Sequence, residues 1–153
     1  MTKRILVPLD QGEHAEAVVA VMAALAQGGG ATVRLLLVCP IPEARVTRDR
    51  RIVATADQEM ERLWTKGSDY LRMIETQLEG VPVESVVRFG RPVSEILVEA
   101  EAFGADLIAL TTADGRWFGR GRFGGVAARV FRKAPIPCCS TVTSGKPVCA
   151  HWP

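Results

Sequence analysis

A charge imbalance is the first thing this sequence lacks. Nineteen lysines and arginines stand against seventeen acidic residues, a formal net charge of +2 over 153 residues. Charge alone therefore implies no polyanionic partner, and a nucleic-acid module is not expected. A long apolar run is also missing. After the basic start Met1 to Arg4, the stretch Ile5-Leu6-Val7 is broken at once by Pro8 and Asp10. That pattern fits neither a signal peptide nor a membrane span, so the expected address is the cytoplasm. Cysteine is sparse and unpatterned, at Cys39, Cys138, Cys139 and Cys149. No disulfide framework or zinc ribbon has that spacing, and His151 beside Cys149 does not repair it. The four read as reduced thiols, and no metal site is expected.

Catalytic and phosphate-binding signatures are absent too. There is no Gly-x-Ser-x-Gly elbow, and His14, four residues from Asp10 at a helix start, reads as helix surface rather than as a base. No Gly-Lys-Ser/Thr closes a Walker loop. The one G-x-G-x-x-G match, Gly119 to Gly124, lies far from the first strand, where a dinucleotide turn would sit. No catalytic residues are assigned and the chain is not expected to be an enzyme.

What remains is an ordinary globular composition, 48% apolar and 24% charged. A chain of this length buries roughly two-thirds of its unfolded surface in a single domain. Ile5 to Leu9 is a short apolar run ended by Asp10-Gln11-Gly12, the mark of a strand buried on both faces. Glu13 to Gln27 is alanine-rich, with Val18, Val21, Met22 and Leu25 at helical spacing, and Gly28-Gly29-Gly30 stops it. Thr32 to Cys39 is a second strand, closed by Pro40-Ile41-Pro42. The basic segment Glu43 to Arg51 reads as a loop or an irregular lead into a long helix from about 53 to 78. That helix places Met60, Leu63, Trp64, Leu71, Ile74 and Leu78 on one face, with an interruption at Gly67.

The second half repeats the alternation. Val83 to Phe89 is a strand, Gly90-Arg91-Pro92 turns into a helix ended by Gly104, and Leu107 to Thr112 is the next strand. Gly125 to Lys133 is a short helix, and Ala134-Pro135-Ile136-Pro137 precedes the last strand, Cys138 to Val142. Strands alternating with helices predict an α/β fold: an open, doubly wound, mostly parallel five-stranded sheet between two helical layers. The domain should run from 1 to 143, with a tail from 144 to 153 that has no period and should be poorly ordered or packed on the surface.

In such a sheet ligands bind beyond the carboxyl ends of the strands, where the winding direction reverses. The candidates are therefore the residues just past the first, second and fourth strands, Pro8-Leu9-Asp10, Val38-Cys39 and Thr111 to Val126, and the last stands out because its glycines alternate with Arg116, Arg120 and Arg122 and it opens a helix. Glycines let backbone N–H groups approach an anion and arginines grip phosphate oxygens, although a plain surface loop accounts for the same composition. Trp117, Phe118 and Phe123 between the arginines have the look of a single-strand binder, against which the low net charge argues.

ILVPLD near the start, GRPVSEILVEAEAFGADLIAL in the middle and GGVAARVFRKAPIP near the end, in that order, resemble the universal stress protein family. The resemblance spans Ile5 to Val142. It implies a Rossmann-like sheet with the first strand central, a homodimer through the last strand, Cys138 to Val142, and a stress-response binding protein that holds ATP, with Mg, or another adenine nucleotide. No cofactor is required for the fold. The implied contact residues are Pro8, Leu9, Asp10, Val38, Leu110, Thr111, Asp114, Gly115, Arg116, Gly124, Gly125 and Val126. The family's phosphate loop has the form G-x2-G-x9-G-S/T. Here Thr111 and Asp114 stand at the first two glycines, and Gly124-Gly125 replaces the final pair, which removes a hydroxyl and adds a carboxylate. A dimeric interaction module that binds no nucleotide and whose surface is read by a partner protein is the alternative.

Overall fold

The computed structural model describes residues 3–11, 15–43, 45–111, 126–141 and 147–149. The elements are β1 (Arg4–Leu9), α1 (Ala15–Gly29), β2 (Thr32–Cys39), β3 (Arg45–Val46), β4 (Ile52–Ala54), α2 (Ala56–Glu75), β5 (Val83–Phe89), α3 (Pro92–Phe103), β6 (Leu107–Thr111), α4 (Val126–Lys133), β7 (Cys138–Thr141) and β8 (Pro147–Cys149). The main sheet has the order β5-β2-β1-β6-β7-β8. Its first five strands are the five expected from the sequence, all parallel to one another. The first of them is central among the five, as the resemblance implies.

Alternation along the strands divides the core. Ile5, Val7 and Leu9 of β1 and Val33, Leu35 and Leu37 of β2 pack under α1 and α2, with Val18, Met22, Leu71 and Ile74 above them. Leu6 and Leu36, one residue out of phase, face α3 and α4 with Ile96, Ala100, Phe103, Ile108 and Val130. Each fully buried side chain of this size contributes about 1.5–3 kcal/mol. The winding leaves β1 in both directions, out through β2 to β5 and, after α3, back through β6 to β7. The reversal therefore falls at β1.

Local signals set the helix ends. Thr55 accepts a hydrogen bond from the N–H of Gln58 at 3.2 Å, and the Gln58 side chain accepts from the N–H of Thr55 at 3.1 Å, a capping box at the start of α2. Pro92 opens α3, and Gly104 ends it at φ 66°, a left-handed conformation that suits glycine.

Four features depart from the sequence reading. Glu43 to Arg51 is no plain loop, since Arg45–Val46 pairs antiparallel with Ile52–Ala54 as a small second sheet. The tail is not wholly irregular, because Pro147–Cys149 joins β7 as an antiparallel sixth strand. Met60 and Trp64 do not reach the core. They lie 37% and 53% exposed, sharing a surface hollow with Phe89 of the edge strand, while Leu71, Ile74 and Leu78 of the same stripe are buried. Gly67 itself does not interrupt the helix. It brings α2 against the sheet, and a Cβ built there would lie 2.7 Å from Leu37 Cδ2 and 3.5 Å from Val87 Cγ2.

The sheet surface under α3 carries ions as well as apolar groups. Glu99, 3% exposed, accepts from Arg34 Nη1 and Arg88 Nη1, each at 2.7 Å, with one carboxylate oxygen for each. Arg88 Nε also donates to Glu95 at 2.6 Å, and the Arg34 guanidinium stacks 4.1 Å from the centre of the Phe103 ring. Arg34 donates as well to Glu84 of β5, so the two arginines are neutralised by α3 and by the neighbouring strand together, and a polar strand face is covered without a stranded charge.

Gly67→Val tests the close approach of α2. The added branch should lower the unfolding free energy by about 1–3 kcal/mol through overpacking. Urea denaturation reads this directly, and an unchanged midpoint would show that Leu37 and Val87 yield freely.

Candidate functional site

The carboxyl ends of β1 and β2 and the starts of α3 and α4 enclose a cavity of about 340 Å³. Pro8, Leu9, Asp10 and Gln11 form one side of it, Leu36 to Cys39 a second, and Pro92, Ile96 and Val126 close it from the helices. The parallel direction of the strands and the reversal at β1 produce the gap. Strand ends that point the same way, followed by crossovers leaving to opposite faces, cannot fill the space between them.

Of the residues expected from the sequence, Pro8, Leu9, Asp10, Val38 and Val126 come together on this cavity. Leu110 does not line it, being fully buried in the core under α3 and α4. Thr111 ends β6, where it pairs in register with Thr141 of β7. Asp114, Gly115, Arg116, Gly124 and Gly125 lie outside the described residues, as do His14 and the Trp117-Phe118 pair. Cys39, expected with Val38 at the end of the second strand, also lines it, whereas Gln11, Leu36, Leu37, Pro92 and Ile96 were not expected there. Gln11 follows directly on Asp10, so the rule that ligands sit past strand ends could have found it. Pro92 and Ile96 could not be found that way, because only the packing of α3 over β2 brings them there.

Electrostatically the cavity suits a ligand with an apolar part and an anionic part. Its walls are largely Pro8, Leu9, Leu36, Val38 and Ile96, all apolar, and Asp10 stands exposed at the mouth as the carboxylate that can accept from an amine or hydroxyl. Two helices begin at the rim, and the free N–H groups and dipoles of helix starts favour negative charge. Gln11 sits at φ 61°, a left-handed conformation uncommon for glutamine that costs roughly 1–3 kcal/mol. It turns the chain sharply at the edge of the cavity. Burial raises the Cys39 thiol above its ordinary value of 9.0, so this wall of the cavity is a neutral sulfur at physiological pH.

An α/β domain with a crevice at the reversal point of a parallel sheet belongs to the broad class of Rossmann-like ligand-binding folds. The model of the family described as "Universal stress protein family" matches residues 1–139. The chain belongs to that family. The universal stress protein UspA from Lactobacillus plantarum has a similar structure, with TM-score 0.69 at 22% identity, covering 92% of this chain and 96% of that one. The universal stress protein from Archaeoglobus fulgidus in complex with dAMP gives a TM-score of 0.59 at 23% identity, over 90% and 96% of the two chains. A universal stress protein in complex with cAMP gives 0.68 at 15%, over 93% and 98%. No curated protein matches the chain by sequence.

The thiols give a pH prediction. Cys138 lies on the α3 and α4 side of the core, and burial pushes it up from 9.0 to about 11. The folded chain then holds a proton that the unfolded chain gives up at lower pH. The associated stability is fully present below pH 9 and is lost as pH rises toward about 11. Unfolding free energies measured from pH 8 to 11 should fall for the native chain and fall less steeply for Cys138→Ala. Parallel curves would mean that this thiol is not buried.

Proposed function

We propose that this universal stress protein binds an adenine nucleotide, ATP with Mg included, in the crevice at the ends of β1 and β2, and that it acts as a cytoplasmic binding protein without catalysis. The observation that carries the reading is the cavity of about 340 Å³ in which Asp10, Val38 and Val126 converge beneath two helix starts. An adenine ring fits the apolar walls, Asp10 takes a ribose hydroxyl or an adenine amine, and the phosphates point toward the start of α4 and the Gly124-Gly125 pair that precedes it in the sequence. The relatives in complex with dAMP and cAMP support the base and ribose part of this reading. The weakness of the loop pattern, with Asp114 and Gly125 at motif positions, bears on the phosphates and not on the base.

Calorimetric titration of the chain with AMP and with ATP and Mg tests the proposal. Saturable binding is expected, weakened about tenfold in Asp10→Ala, a loss of about 1.4 kcal/mol, with the melting temperature unchanged. Gly125→Ser should tighten the binding of ATP by restoring the motif hydroxyl. No saturation at millimolar nucleotide would end this reading.

We further propose that the chain forms a homodimer. The outer edge of β7, the surface the family resemblance implies, is already paired with β8, so the strand left open at this end of the sheet is β8. Sedimentation should then show a species of twice the chain mass of 16.6 kDa. A single-chain species at tens of micromolar would contradict the dimer.

A further inference from the structure

A second cavity, of about 500 Å³, lies between the start of α3 and the outer side of α4, next to the nucleotide crevice and separated from it by the shared Pro92 and Val126. Four cations line it, Arg91, Arg129, Arg132 and Lys133, together with the hydroxyl residue Ser94, and among the described residues no acidic one does. The two acids on this part of α3 are turned to other work. Glu95 is held by Arg88, and Glu99 by Arg34 and Arg88, on the side of the helix that meets the sheet. The sequence of α4, VAARVFRK, contains no acid at all. A concentration of positive charge is thus confined to one groove in a chain whose net charge is only +2.

Helix stability does not account for it. Arg132 and Lys133 occupy the last turn of α4, where cations complement the helix dipole. Arg91 does the opposite: it is the N-cap of α3, makes no side-chain capping bond, and sets a positive charge at the positive end of the dipole. Arg129 stands exposed in the middle of α4. Among the described residues neither Arg91 nor Arg129 has an ion-pair partner.

We propose that this groove is an anion site for a short chain of phosphates, three or more linked groups, distinct from the nucleotide crevice. Guanidinium forks meet phosphate oxygens two at a time, and three arginines with one lysine match the closely spaced negative charges of an oligophosphate. Among the described residues the cluster is limited to this one groove. The proposal does not require the crevice to be occupied.

Titration of the full chain with inorganic tripolyphosphate, in low salt and without Mg, is the test. Saturable binding is expected, weakened at least tenfold in the double variant Arg91→Gln/Arg129→Gln and weakened by added salt. Asp10→Ala should bind tripolyphosphate as the native chain does, and the double variant should bind AMP as the native chain does, so failure of the nucleotide reading leaves this one standing. Both substituted residues are exposed, and a thermal melt confirms that the variant is folded. No saturation at millimolar tripolyphosphate, or equal binding by the folded double variant, overturns the site.

Discussion

The structure depends on the burial of parallel strands on both faces at once. A parallel ladder needs a crossover between each pair of strands, and each crossover here is a helix that must be laid on one side or the other. Ile5, Val7 and Leu9 look one way and Leu6 the other, so β1 cannot be stable without both layers. The same requirement fixes where the winding reverses and, with it, where the strand ends stay uncovered.

At the edge of the sheet the requirement is met by different means. β2 and β5 present half-buried arginines to α3, and the buried Glu99 carboxylate would be costly if it were left alone. Glu99 accepts from both, and Phe103 offers its ring face to Arg34. This arrangement ties α3 to β2 and β5 by directional bonds rather than by apolar contact alone. Because the same helix begins at the crevice with Pro92, its attachment also sets one wall of the site.

The site is accordingly a product of convergence. Asp10 and Val38 come from strand ends, Pro92 and Ile96 from one helix, Val126 from another. What unites them chemically is an apolar cavity with a carboxylate at its mouth and two positive helix starts at its rim. The neighbouring basic groove exists for a related reason: the first two carboxylates of α3, Glu95 and Glu99, are engaged on the sheet side and α4 has none to offer, so the surface between the start of α3 and α4 is left cationic.

Much of the fold was legible in local sequence, since runs such as ILVPL and TVRLLLVC, each followed by a proline or glycine break, can be little else than buried strands. The bounds of β2 and β5 agree with that reading to the residue. Short elements escaped it. β3, β4 and β8 have two or three residues each, too few for a period, and exist only because a partner strand lies alongside. Met60 and Trp64 misled because helical spacing reports which residues share a face, but not how far along the helix the sheet extends beneath it. Of the site, the part carried by strand ends could be read in advance, for a strand's terminus is a local property. Cys39 as a neutral wall, Ile96 across the cavity, the clustering of Arg91 with Arg129, and Glu99 between two arginines were decided by tertiary structure alone, because each depends on a distance between segments that no local pattern encodes.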